Sequence, residues 1–110
     1  MMRESQIQRA VIAHWKALGL ADTLVAAIPN AGSLGQAGLT KGLADLLVLA
    51  PGLPVGFIEL KAEKGRPSAA QIVFKEHCER LSIPYALTHG RDEPIAVLED
   101  WRVVTVRRSA

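Results

Sequence analysis

The sequence predicts an α+β fold, a mostly antiparallel sheet with helices packed on it, and three observations carry that prediction. Helical periodicity marks residues 3–18 and a second stretch from Ser68, and short apolar or β-branched runs bounded by Gly and Pro fill the middle. The elements also segregate instead of alternating: a helix, a three-stranded antiparallel segment, a helix, a strand and a short C-terminal helix.

Over residues 3–18, Ile7, Val11, Trp15 and Leu18 form one apolar stripe, and Gly19 supplies the stop. Glu4 stands one turn ahead of Ile7 and projects from the edge of that same stripe, an unusual direction for a surface acid. Residues 23–28 read as a strand that ends at Pro29 and Asn30. The connection over residues 31–42 carries Gly32, Gly35, Gly38 and Gly42, and a loop that long and glycine-rich in a small domain suggests function or mobility.

Residues 43–50 and 55–62 are apolar runs joined by Pro51-Gly52-Leu53-Pro54. That joint is too short for a crossover helix, so the runs form an antiparallel hairpin and any acids on them become neighbours. Ser68-Ala-Ala-Gln71 is a capping box that opens a helix over residues 68–81, with Ile72, Val73, Phe74, His77, Cys78 and Leu81 at helical spacing. Residues 83–88 suggest a strand and 93–101 a helix, followed by the β-branched run 103–106.

At 110 residues, with 49% hydrophobic and 22% charged side chains, the chain has the size and balance of one globular domain spanning 1–110. No apolar stretch nears the roughly 20 residues of a membrane span, and the first eight residues lack the apolar centre of a signal peptide. Cys78 is the only cysteine, which excludes an intramolecular disulfide and a thiolate zinc cluster, so a reducing cytoplasm is expected. A net charge of +2 permits nucleic-acid binding without requiring it. Several cations nevertheless cluster near acids: Lys61, Lys64 and Arg66 beside Glu59 and Glu63, and Lys41 just upstream of Asp45.

Asp45 and the pair Glu59 and Lys61 interrupt apolar runs, where an unpaired charge is costly to bury. Strand alternation puts Glu59 and Lys61 on one face, roughly 6.6 Å apart along the strand, with Ile58 and Leu60 on the other. Taken alone, Glu-x-Lys is weak evidence, and its ordinary reading makes Lys61 a salt-bridge partner for Asp45 or Glu63 on a solvated edge. The conjunction with Asp45, Glu4 and Ser68-x-x-Gln71 argues for a catalytic site instead. His14, His77 and His89 lack metal-ligand spacing, and Trp15, Trp101 and Tyr85 suit core or interface positions better than base stacking.

Gly42-Leu-Ala-Asp45 together with Phe57-Ile-Glu-Leu-Lys61-Ala-Glu-Lys-Gly65-Arg-Pro-Ser68-Ala-Ala-Gln71 resembles the VRR-NUC branch of the PD-(D/E)xK nuclease superfamily, in its stand-alone phage and bacterial form. The resemblance extends to the helix with Glu4, the Pro29-Asn30-Ala31-Gly32 strand end and the strand containing Tyr85, and Ala44 replaces the proline of the superfamily name.

It implies a restriction-endonuclease-like core and a metal-dependent DNA endonuclease. Asp45, Glu59 and the Leu60 carbonyl would hold Mg²⁺ or Mn²⁺, a hard oxygen set suited to such ions, and Lys61 would orient the attacking water. Glu4 would join the metal shell or serve only as a helix-start acid. Gln71 would act in the site or only in the capping box, and both roles together require a shared side chain. Lys41, Lys64, Arg66 and Ser68 are the expected DNA contacts.

The resemblance further implies a homodimer acting on branched, Holliday-junction-like DNA, with the tail 101–106 at an interface or completing the sheet, and Arg107 and Arg108 near phosphate. The competing readings are a non-catalytic nucleic-acid-binding module, a nuclease subunit of a larger DNA-processing complex, and an enzyme using Lys61 as a Schiff-base amine. Two acids beside Lys61 disfavour the last of these.

Overall fold

The computed structural model describes residues 1–29, 38 and 40–107; Asn30, Ala31, Gly32, Gly35 and Arg108, singled out above, lie outside them. Among the described residues seven elements follow one another: α1 (Glu4–Leu18), β1 (Leu24–Ala27), β2 (Leu46–Ala50), β3 (Leu53–Lys61), α2 (Ala69–Arg80), β4 (Tyr85–His89) and α3 (Asp92–Asp100). The expected order is therefore present, and the fold is α+β. The sheet runs β1-β2-β3-β4, with the first three strands antiparallel and β4 parallel to β3. That parallel pairing follows from α2, which spans the gap between the two strands as a crossover.

One face of the sheet carries the core. Ile7 and Val11 of α1, and Ile95 and Leu98 of α3, pack on Val25, Leu46, Val48, Ile58 and Leu60, all buried. The tail is part of this core, because Val103 and Val104 are buried in it. It does not join the four-stranded sheet, but runs beside the end of α1 through a bridge between Gly19 and Val104. Arg107 binds Glu99 through its Nε (3.0 Å) and reaches Asp92 (3.5 Å), which holds the Glu99 carboxyl below its usual range and leaves this cation occupied.

Three local expectations change. Gly19 ends α1 in extended backbone (φ −64°, ψ 142°), not in the left-handed turn that usually recruits glycine. Its requirement is space: a Cβ there would lie 2.6 Å from the Trp15 carbonyl oxygen and 2.7 Å from the Trp15 indole nitrogen. The hairpin turn is shorter than expected, since β3 starts at Leu53 and takes in Pro54 near its first residue, a position where a missing N–H is tolerated.

The apolar stripe of α2 is also narrower. Ile72 and Val73 are about half exposed (45% and 53%) and Leu81 more so (68%), while Cys78 is the helix's only buried residue. The inward line is instead Gln71, Phe74 and Cys78, one turn apart, because α2 meets the sheet only near β3 and β4, where Phe74 stands edge-on to Phe57 and Tyr85. Among the described residues, no helix is long and apolar enough to cross a membrane.

Candidate active site

The first acid arrives from the loop, not from a strand. Asp45 directly precedes β2, and its backbone carbonyl accepts the Ile28 N–H (2.8 Å), so pairing with the β1 side continues past the strand's formal end. Its side chain accepts the Leu60 N–H at 2.7 Å. This anchors the carboxylate against β3 at the point where Glu59, Leu60 and Lys61 follow one another.

Glu59 is fully buried and Lys61 nearly so, in the last residues of β3. Alternation puts both on the α2 face, away from Ile58 and Leu60, as the spacing predicts. The lysine is therefore not on a solvated edge. Its Nζ lies 3.4 Å from Glu59 Oε2, and the same oxygen accepts the Gln71 Nε2–H at 3.0 Å.

Gln71 makes two contacts with one side chain, the capping box and a hydrogen bond to Glu59. Its Oε1 accepts the Ser68 N–H (2.8 Å) while Ser68 Oγ accepts the Gln71 N–H (3.2 Å), which closes the capping box. The amide nitrogen is left free to reach Glu59. A single side chain thus couples the start of α2 to the buried carboxylate.

Glu4 enters from the first turn of α1. Its carboxylate, with those of Asp45 and Glu59, forms a group whose oxygens lie within 4.8 Å of one another. The cleft in front of them, about 160 Å³, is lined by Glu4, Pro29, Thr40, Gly42, Asp45 and Gln71 among others. Burial of Glu59, joined by the neighbouring Asp45 carboxyl, pushes its pKa up to about 8, and Lys61 opposes that rise. Glu59 Oε1 is buried and lacks any partner among the described residues.

These features fit a small divalent cation. Hard carboxylate oxygens from a helix, a loop and a strand converge, one of them unsatisfied, and the leading cost of ionising Glu59 is desolvation beside another acid. A cation would remove that cost.

Of the expected nucleic-acid contacts, Lys41 stands between Thr40 and Gly42, two residues that line the cleft. Lys41 is exposed next to Gly42, and Lys64 and Arg66 are exposed on the connection between β3 and α2; none of the three is ion-paired among the described residues. Ser68 is exposed but spends its hydroxyl oxygen on the cap.

Two residues unmarked in the sequence support this framework. Thr88 on β4, buried, donates its hydroxyl to the Glu59 carbonyl oxygen at 2.8 Å. His89 Nε2 lies 2.9 Å from the Gly65 carbonyl oxygen, which ties down the connection bearing Lys64 and Arg66. Only the parallel pairing, which sets Thr88 beside Leu60 and His89 beside Lys61, reveals them.

No family model and no curated protein matches the chain. Solved structures share its fold, two of them as follows. One, a "VRR_NUC domain protein", superposes with a TM-score of 0.76 at 21% identity, over 89% of this chain and 86% of its own. The other, a "VRR_NUC domain", gives 0.64 at 22% identity, over 91% of this chain and 97% of its own. The chain has the VRR-NUC domain fold, as its residues at Asp45, Glu59, Lys61 and Gln71 lead one to expect.

Proposed function

We propose that this chain of VRR-NUC fold is a metal-dependent endonuclease that hydrolyses DNA phosphodiester bonds, with its whole length, 1–110, forming one nuclease domain. The observation that carries the reading is the convergence of Glu4, Asp45 and Glu59 within 4.8 Å, beside the nearly buried Lys61. Binding alone has no need of a buried carboxylate held next to another acid; hydrolysis of a phosphodiester does.

Asp45, Glu59 and the Leu60 carbonyl, with Glu4 at the margin, would hold Mg²⁺ or Mn²⁺. A bound ion of this kind supplies Lewis acidity to the scissile phosphate and makes water a better nucleophile at neutral pH. The protein's own groups do the rest. Lys61 Nζ, held against Glu59 Oε2, orients the attacking water and offsets the negative charge that builds on the phosphate oxygens. Gln71 fixes the Glu59 carboxylate through Oε2, which leaves Oε1 available to the ion this site would hold. Asp45 is fixed through the Leu60 amide, so the two acids cannot drift apart independently.

Lys41, Lys64 and Arg66 would meet backbone phosphates around the cleft, and Ser68, at the start of α2, would place a helix N-terminus near one of them. The finer reading is a cytoplasmic homodimer that prefers branched DNA, including four-way junctions, whose two-fold symmetry matches an isologous pair. A panel of labelled junctions, flaps and linear duplexes, incubated with Mg²⁺, Mn²⁺ or excess EDTA, tests both levels. Cleavage that needs the cation and favours the junction is the expected result. Full cleavage in EDTA contradicts the mechanism, and no cleavage of any substrate with either metal returns the chain to a binding role.

A further inference from the structure

Gly42 carries no chemistry of its own, yet it stands where a side chain does not fit. It lies three residues before Asp45 with a left-handed φ of +90°. A Cβ there would fall 2.4 Å from both the carbonyl carbon and the carbonyl oxygen of Ala70, and 2.8 Å from the Ala70 Cβ. Ala70 directly precedes Gln71 in the first turn of α2. Two stretches of backbone thus meet without a side chain between them, one leading to Asp45 and the other bearing Gln71.

The consequences follow from what each stretch holds. Gln71 reaches Glu59 at 3.0 Å, and Asp45 is pinned to the Leu60 amide at 2.7 Å. Gly42 and Gln71 both line the cleft in front of these acids. Backbone atoms cannot swing aside as the end of a flexible side chain can, so an added methyl must part the loop from the helix. The helix is the easier of the two to move, since Cys78 is its only buried residue. Gln71 moves with it.

We propose that Gly42 is a positioning residue, whose bare contact with the first turn of α2 sets the separation between Asp45 and the Gln71–Glu59 pair and hence the fit of the site to its cation. This rests on reading those carboxylates as metal ligands. The contact itself does not depend on that reading, so the test has two readouts: the side-chain amide NMR signals of Gln71 in metal-free protein, and Mn²⁺ affinity by electron paramagnetic resonance.

Gly42→Ala adds both a conformational cost and the clash. Gly52→Ala adds the conformational cost alone, because Gly52 has φ +79° and no atom within 4 Å of its would-be Cβ. Ala70→Val presses on the same contact from the helix side and needs no left-handed backbone, so it decides the matter if Gly42→Ala fails to fold. Gly42→Ala and Ala70→Val are expected to release the Gln71 amide to solvent-like shifts and to weaken Mn²⁺ binding about 10- to 100-fold, the usual range for losing a ligand's supporting shell. Gly52→Ala is expected to leave both readouts unchanged.

The proposal is overturned if the folded contact variants keep the wild-type Gln71 signals and Mn²⁺ affinity, or if Gly52→Ala produces the same losses. Wild-type protein that binds no Mn²⁺, with Gln71 signals that still respond to Gly42→Ala and Ala70→Val, overturns the metal reading and upholds the positioning role.

Discussion

Glu59 is held in a place that suits its protonated form. Its pKa is raised from the ordinary 4.5 to about 8, by burial first and Asp45 second. For an acid whose folded pKa is raised, the unfolded chain releases the proton more readily, so folding stability is greatest below about 4.5 and falls as pH climbs to about 8. Urea melts in EDTA should follow that slope, and Glu59→Gln should flatten it and raise stability at neutral pH. A wild-type slope unchanged by the substitution would remove the account of this carboxyl. In activity, Asp45→Asn, Glu59→Gln and Lys61→Ala should each lower cleavage by at least about 100-fold with the fold intact, since each removes charge or orientation and not core volume. Circular dichroism beside a plasmid-nicking assay checks the three, and near wild-type nicking by a folded variant would exclude that residue.

Among the elements, α2 joins stability to chemistry through one turn. Ser68→Ala deletes the cap acceptor for the Gln71 N–H and is expected to cost about 1 kcal/mol of stability. Gln71→Ala breaks the cap and the Glu59 contact together, so its loss of cleavage should exceed that of Ser68→Ala at matched stability. Comparing the two by thermal melts and single-turnover cleavage separates the tasks. Equal cleavage by both would make Gln71 a capping residue only. The tail, by contrast, is structural: Val103 and Val104 lie in the core and Arg107 is taken up by Glu99 and Asp92. Val104→Ala should therefore destabilise the chain, and Arg107→Gln should leave the salt dependence of DNA binding unchanged.

At the scale of the molecule, the proposed DNA surface is discontinuous in sequence. Lys41 precedes β2, while Lys64 and Arg66 follow β3, and the three would act together on one backbone. Replacing Lys64 and Arg66 by Gln should lower the slope of log affinity against log salt by about 2, since each phosphate left without its cation on duplex DNA removes roughly 0.9. Ca²⁺ should support this binding without supporting cleavage, because its longer and looser coordination misplaces the water. Light scattering bears on the dimer: a monomeric mass at micromolar concentration, with equal rates on junction and linear duplex, would exclude the branched-DNA reading.

Much of the architecture is legible in the chain because it rests on short-range rules. The stripe Ile7, Val11, Trp15 marks α1, Ser68 and Gln71 mark the start of α2, and Pro51-Gly52 between apolar runs marks the hairpin. Charges within those runs, at Glu59 and Lys61, identify the candidate site, since an apolar strand does not bury such groups without cause. Other features depend on which elements meet, and local pattern carries no such information. The exposure of Ile72 and Val73 follows from the narrow contact between α2 and the sheet. The parallel pairing of β4 brings Thr88 to the Glu59 carbonyl and His89 to Gly65. Gly42 could be read from sequence only as part of a glycine-rich loop. That its backbone must lie against Ala70, where a Cβ would have 2.4 Å of room, was decided by the packing of residues far apart in the chain.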